Sequence, residues 1–166
     1  FNELAFVTAL DAAVGASELM MPYWPNALNE RFDGSRTNDV TLAKEGVGNF
    51  TTLADTASEE HIIRRILGVS EFAGNAIIAE ESGSQNVDSN VKWIIDPIDG
   101  TINFSQGLED FGVSIGLVVD NVPIVGVIAI PAKGIVIASL KGHGVRLYGM
   151  DEGLISYLPA VDSVEE

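Results

Sequence analysis

Cysteine is absent from the 166 residues, so the chain has no disulfide framework, no thiolate metal site and no cysteine nucleophile. Histidine is scarce: His61 and His143 lie on distant segments, a poor basis for a histidine metal site or a triad. Positive charge is scarce too. Against 24 Asp and Glu stand 9 Lys and Arg, a formal net charge of −15. Nucleic-acid polymers and anionic membranes both need a basic footprint, and this balance speaks against either partner. No apolar run reaches the ~20 residues of a membrane span; the longest, 122–140, is broken by Pro123, Pro131 and Lys133. The N-terminus lacks a charged-then-apolar signal pattern and begins at Phe1 rather than Met, as a processed chain or a fragment does. What remains is 46% apolar and 20% charged residues, enough for one folded domain with a sizeable core. The composition reads as a soluble cytoplasmic protein.

Two helices come first. Phe6, Val7, Leu10, Ala13, Val14, Met20 and Met21 follow the three-and-four spacing of one helix face, and Pro22 and Pro25 end it. Residues 22–50 read as a long loop or a loose hairpin. A second helix is predicted from about Asp55 to Leu67, with Thr56 and Glu59 as a capping box and Ile62, Ile63, Ile66 and Leu67 as its buried stripe. The pattern then changes to strands at 76–79, 93–95, 113–119, 122–130, 134–140 and 145–148. Asp120-Asn121 reads as a two-residue hairpin turn. Helices followed by an antiparallel sheet predict an α+β or layered α/β/α architecture. The acidic tail, 150–166, reads as a linker or a truncated edge.

The segment with most chemistry is Trp93-Ile94-Ile95-Asp96-Pro97-Ile98-Asp99-Gly100-Thr101-Ile102-Asn103-Phe104. Pro97 fixes φ and donates no hydrogen bond, so a turn is expected there. Two carboxylates, Asp96 and Asp99, would then sit on a rigid turn at a strand end. All-oxygen ligands of this kind suit Mg²⁺. If a helix begins at Gly100 and Thr101, its free N–H groups form an anion cradle. By itself D-P-x-D-G serves a turn as well as a metal site. Glu80-Glu81-Ser82 follows a second short apolar strand; alone it reads as a solvated acidic pair, but two such strand ends side by side favour a cation.

At these residues the chain resembles the inositol monophosphatase family, the Mg²⁺-dependent, lithium-sensitive phosphatases. The resemblance rests on D-P-I-D-G-T-x-N-F at 96–104 and E-E-S at 80–82. Thr52-Leu53-Ala54-Asp55, Val113-Ser114-Ile115-Gly116 and Gly142-His143-Gly144 support it. It implies the fold of that family, N-terminal helices on a largely antiparallel sheet, with 1–149 as its N-terminal domain. It implies Glu80, Asp96, Asp99 and the Ile98 carbonyl as metal ligands. Thr101, with Glu80 and Asp55, would be the catalytic group that holds water. The N–H groups of Gly100 and Thr101 would bind the substrate phosphate. Asp55 alone reads as a helix N-cap, and Lys44, in the family's mobile loop, reads alone as a surface residue. Glu81 would support Glu80 from behind.

The resemblance thus implies Mg²⁺-dependent hydrolysis of a small phosphate monoester, an inositol monophosphate or a relative, by a homodimer in the complete protein. Fructose-1,6-bisphosphatase or 3′-phosphoadenosine-5′-phosphate phosphatase activity is the neighbouring expectation, and a non-catalytic half-domain that works by association is the rival. The family's further C-terminal half, with a metal-binding aspartate in a W-D motif, has no counterpart here. Trp24 and Trp93 are the only tryptophans, and neither precedes Asp. Near-continuous apolar strands over 113–130 predict a sheet covered on both faces. The first two helices can cover one. The chain alone is therefore expected to expose an apolar patch.

Overall fold

The computed structural model describes residues 1–24, 41–43 and 50–160. Asn2–Met20 form α1 and Leu53–Leu67 form α2. Between them Thr41–Ala43 (β1) and Phe50–Thr52 (β2) pair as an antiparallel two-stranded sheet, in keeping with a hairpin in this stretch. Pro25 and Lys44 lie outside the described residues.

The remaining strands build one eight-stranded sheet. They are β3 Ala76–Ala79, β4 Gly83–Gln85, β5 Val91–Asp99, β6 Gly112–Val119, β7 Val122–Ile130, β8 Ile135–Leu140, β9 Val145–Gly149 and β10 Gly153–Leu158. A short helix, α3, spans Thr101–Ser105 between β5 and β6. The spatial order is β10-β9-β8-β7-β6-β5-β3-β4. From β5 to β10 the chain is an antiparallel meander, and β3 beside β5 is a parallel pair. Asp120 and Asn121 carry φ of 50° and 63°, the left-handed pair that a two-residue hairpin between right-twisted strands needs.

Both helices lie on one face of the sheet, α1 against β6, β7 and β8 and α2 against α1 and β5. The stripe predicted for the first helix holds for Phe6, Ala13 and Met20, which are buried, and for Leu10, Val14 and Met21, which pack against the core; Val7 departs from it at 59% exposure. Ala5, Ala9, Ala12 and Ala16 are fully buried beside them. Small side chains allow close approach to the neighbouring elements, since the interaxial distance is set by the residues at the contact. His61 of α2 packs onto Gly15, where a Cβ would collide with the imidazole; burial, followed by Arg64 and Arg65, lowers its pKa. In α2, Ile62 and Ile66 are buried as expected. The capping box is not formed as predicted. The helix starts at Leu53, Thr56 lies exposed within it, and Glu59 is buried with its carboxylate turned to another segment.

Two more corrections concern the sheet. The chain does not turn at Pro97: β5 runs on to Asp99, pairing Asp96 with Ser114 and Asp99 with Gly112, with an irregular register between them. The bulge removes the need for a ladder donor at the proline. In the acidic tail, residues 153–158 form β10, an edge strand on β9 with all six residues exposed.

The helix-covered face of the sheet is filled by Trp93, Ile95, Ile115, Leu117, Val127, Val136 and Ala138, all at most 2% exposed. Among the described residues nothing covers the opposite face. Ile94, Ile128 and Ile137 stand out from it at 46%, 48% and 37% exposure. One row crosses five strands in register, Ile94, Gly116, Gly126, Ser139 and Val145. Its small middle members leave a trough of about 360 Å³.

Candidate functional site

The parallel pairing of β3 with β5 matches Ala79 to Ile95, so the next residues come side by side, Glu80 just past the end of β3 and Asp96 still within β5. The end of one strand and the body of the other therefore bring an acid each to one place. Asp99 closes β5 after the bulge, and Asp55 lies buried in the first turn of α2. All four meet electrostatically at Asp96. Burial pushes its carboxyl up to about 7, and the neighbouring Glu80 and Asp99, hydrogen bonding with Glu80, and Asp55 act in the same direction. Like charges and desolvation both disfavour the ionised form.

One Asp96 oxygen, Oδ1, is buried without a hydrogen-bond partner. Such a group normally carries a desolvation cost. A partly buried, partnerless carboxylate oxygen flanked by carboxylates fits a hard cation, which would neutralise the cluster and satisfy the oxygen. Among the described residues, however, no three Asp, Glu or His side chains are drawn together into a finished cage. Glu80 and Asp99 are exposed.

Gly100 begins α3 with φ 91° and ψ 37°. A Cβ here would meet the Asp110 carbonyl oxygen at 2.9 Å as well as strain the backbone, so the turn requires glycine. The Thr101 hydroxyl donates to the Ile98 carbonyl at 3.0 Å; this ties two predicted site atoms together and leaves that carbonyl its second lone pair. The buried Phe104 anchors the short helix edge-on to Phe111, with ring centroids 5.0 Å apart. Asn103 donates to the Asp110 carbonyl at 2.7 Å, and Lys133 pairs with the Asp110 carboxylate at 2.9 Å. These bonds wall a cavity of about 340 Å³ beside Asp99 and Gly100.

Asp55, Glu80, Asp96, Ile98, Asp99, Gly100 and Thr101 thus gather around one end of the sheet, and His143 stays exposed and apart. Ser114, within the Val113-Ser114-Ile115-Gly116 string, lies opposite Asp96 in the ladder. Glu59, read as a capping residue, accepts the backbone N–H groups of Glu81 and Ser82. The register and the long-range hydrogen bonds place the two here.

A family model described as the inositol monophosphatase family matches residues 3–163. Over 113 residues the chain is 38% identical to the Nus factor SuhB of Haemophilus influenzae, covering 68% of this chain and 42% of that protein. It is 34% identical over 122 residues to the fructose-1,6-bisphosphatase/inositol-1-monophosphatase of Aquifex aeolicus, covering 74% and 45%. The solved inositol monophosphatase of Thermotoga maritima superposes with a TM-score of 0.69 at 29% identity, over 90% of this chain and 52% of that one. The chain spans less than half the length of these curated relatives.

Proposed function

The chain belongs to the inositol monophosphatase family, and from that premise we propose that the protein hydrolyses a small phosphate monoester with water, in the presence of Mg²⁺. The observation that carries the reading is the juxtaposition of Glu80 and Asp96, with the Asp96 carboxyl held near 7 and its Oδ1 unpartnered. Glu80, Asp96, Asp99 and the Ile98 carbonyl would hold the metal. Bound there, Mg²⁺ supplies Lewis acidity that makes water a better nucleophile and offsets charge on the phosphate and the leaving oxygen. It also accounts for an anionic substrate on a chain of net charge −15, because a local ion outweighs the distant field.

The chain's own groups have separate tasks. Glu80 and Thr101, assisted by Asp55, orient the attacking water, and Glu80 accepts its proton. The N–H groups of Gly100 and Thr101, at the start of α3, bind phosphate oxygens. Asp99 serves as a ligand and not as a nucleophile, so water attacks phosphorus in line, the ester P–O bond breaks without a phospho-enzyme, and the departing oxygen takes a proton from solvent water to leave as the alcohol. The cavity of about 340 Å³ beside Asp99 is on the scale of a small phosphorylated alcohol.

The test is phosphate release from inositol monophosphates, fructose 1,6-bisphosphate and 3′-phosphoadenosine 5′-phosphate. Activity should require Mg²⁺, disappear with a chelator and fall with lithium; full turnover in excess chelator sinks the proposal. A second reading, association with a partner in place of hydrolysis, is favoured by relatives named Nus factor SuhB in Haemophilus influenzae and Escherichia coli. Turnover on none of the three substrate classes, with Mg²⁺ still bound, would favour it.

A further inference from the structure

Glu59 is a charged side chain that neither helix capping nor the metal site accounts for. It is 3% exposed, one turn after Asp55 on the same face of α2. Its two oxygens divide their work: Oε2 accepts the N–H of Glu81 and Oε1 that of Ser82, each at 2.8 Å. Burying a carboxylate is costly unless strong hydrogen bonds compensate it, and a bidentate, charge-assisted pair is the geometry that does so. The two amides belong to the turn that directly follows Glu80. Glu80 itself is exposed, just beyond a strand of four residues, and β3 alone does little to fix its direction.

We propose that Glu59 is a positioning residue for the cation site, a clamp from α2 that holds the 80–82 turn so that the Glu80 carboxylate stays beside Asp96. This rests on the reading of Glu80 as a cation ligand and extends it: metal affinity is set partly by a residue that never touches the metal. The fork is specific to glutamate. Glutamine offers one acceptor oxygen and turns an NH₂ group toward the second amide, and aspartate is one methylene short.

Isothermal titration of the full chain with Mg²⁺ tests it, comparing the unsubstituted protein, Glu59→Gln and Ile66→Val. The last loses core packing away from the turn and controls for lost stability. Glu59→Gln should weaken Mg²⁺ binding about 10-fold, the lower end for partners behind metal ligands, while Ile66→Val leaves it unchanged at a comparable loss of melting temperature. Equal affinity in Glu59→Gln and the unsubstituted chain overturns the clamp. Failure of the unsubstituted chain to bind Mg²⁺ overturns the cation site and the clamp with it, a distinguishable outcome. If Glu59→Gln does not fold, amide exchange in the unsubstituted chain decides. Protection at Glu81 and Ser82 that rises with Mg²⁺ supports the clamp, and exchange at the rate of an open turn refutes it.

Discussion

The two faces of the sheet are made by the same strands, yet they do opposite things. Val127 and Ile128 are neighbours on β7: the first is 1% exposed under α1, the second 48% exposed on the open side. The covered face is packed with branched and aromatic side chains against a helix of alanines. The open face carries aliphatic side chains too, but they stand around a Gly116–Gly126–Ser139 trough and run out to Asp96 at one end. Apolar residues on both faces make the strands read as continuously hydrophobic. The difference teaches that hydrophobicity along a strand reports what a face is built to meet, whereas alternation of burial reports what it has met.

Large-to-small substitutions should separate the faces most sharply. Leu117→Ala, on the covered face, should cost about 2–5 kcal/mol in urea unfolding, and Ile128→Ala less than about 0.5 kcal/mol. Equal losses would show that the open face is covered in solution. At the acid end of the open face, Asp99→Asn should lower Mg²⁺-dependent phosphate release about 100-fold with unchanged circular dichroism, and Glu80→Gln should do likewise. A normal rate and metal dependence in Asp99→Asn would remove it from the metal site.

Smaller effects follow from Asp96. Its folded carboxyl titrates at about 7, above the ordinary 3.8, so the folded chain binds the proton more tightly than the unfolded one. That stabilisation is complete below about 3.8 and is lost as pH rises through 7. In chelator, the melting temperature should fall by a few degrees from pH 5 to pH 8, and Asp96→Asn should flatten the slope. A pH-independent melting temperature would contradict the crowding of the acids. Least in stability, Ile137→Ser on the open face should change unfolding by less than about 0.5 kcal/mol while reducing the fluorescence of a bound hydrophobic dye. Unaltered dye binding would locate the exposed apolar surface elsewhere.

Much of this was legible without coordinates. The turn at Asp120-Asn121, the strands on either side of it and a helix from about 55 to 67 follow from turn chemistry and periodicity, which act over a few residues; the helix's first turn, from Leu53, does not. The acids at 96 and 99 stood out within the string 96–104 and Glu80 within 80–82; that Glu80 and Asp99 lie within electrostatic reach of Asp96 comes from the strand pairing. The rest depends on distant partners. Alanine ranks low as a hydrophobe, so the part of the buried face of α1 made by Ala5, Ala9, Ala12 and Ala16 shows only once its neighbours are known. Glu59 bonds to main-chain amides of another segment, which no side-chain pattern can announce. β10 buries none of its residues and so lacks the alternation that marks a half-buried strand. Pro97 misleads because a bulge accommodates it within a strand.

The parallel pairing of β3 with β5 also bears on what it takes to assemble the acid site. The hairpins from β6 to β9 join residues close in sequence. By contrast, β5 pairs with β6 from as far as Val91 to Val119, and the acid site adds β3, docked past β4 onto β5, and α2 from earlier in the chain. Longer closures of this kind cost more loop entropy than a tight hairpin does. The residues of the proposed cation site therefore come from three separate segments, α2, β5 and the turn after β3, and the site exists only where all three have closed on one another.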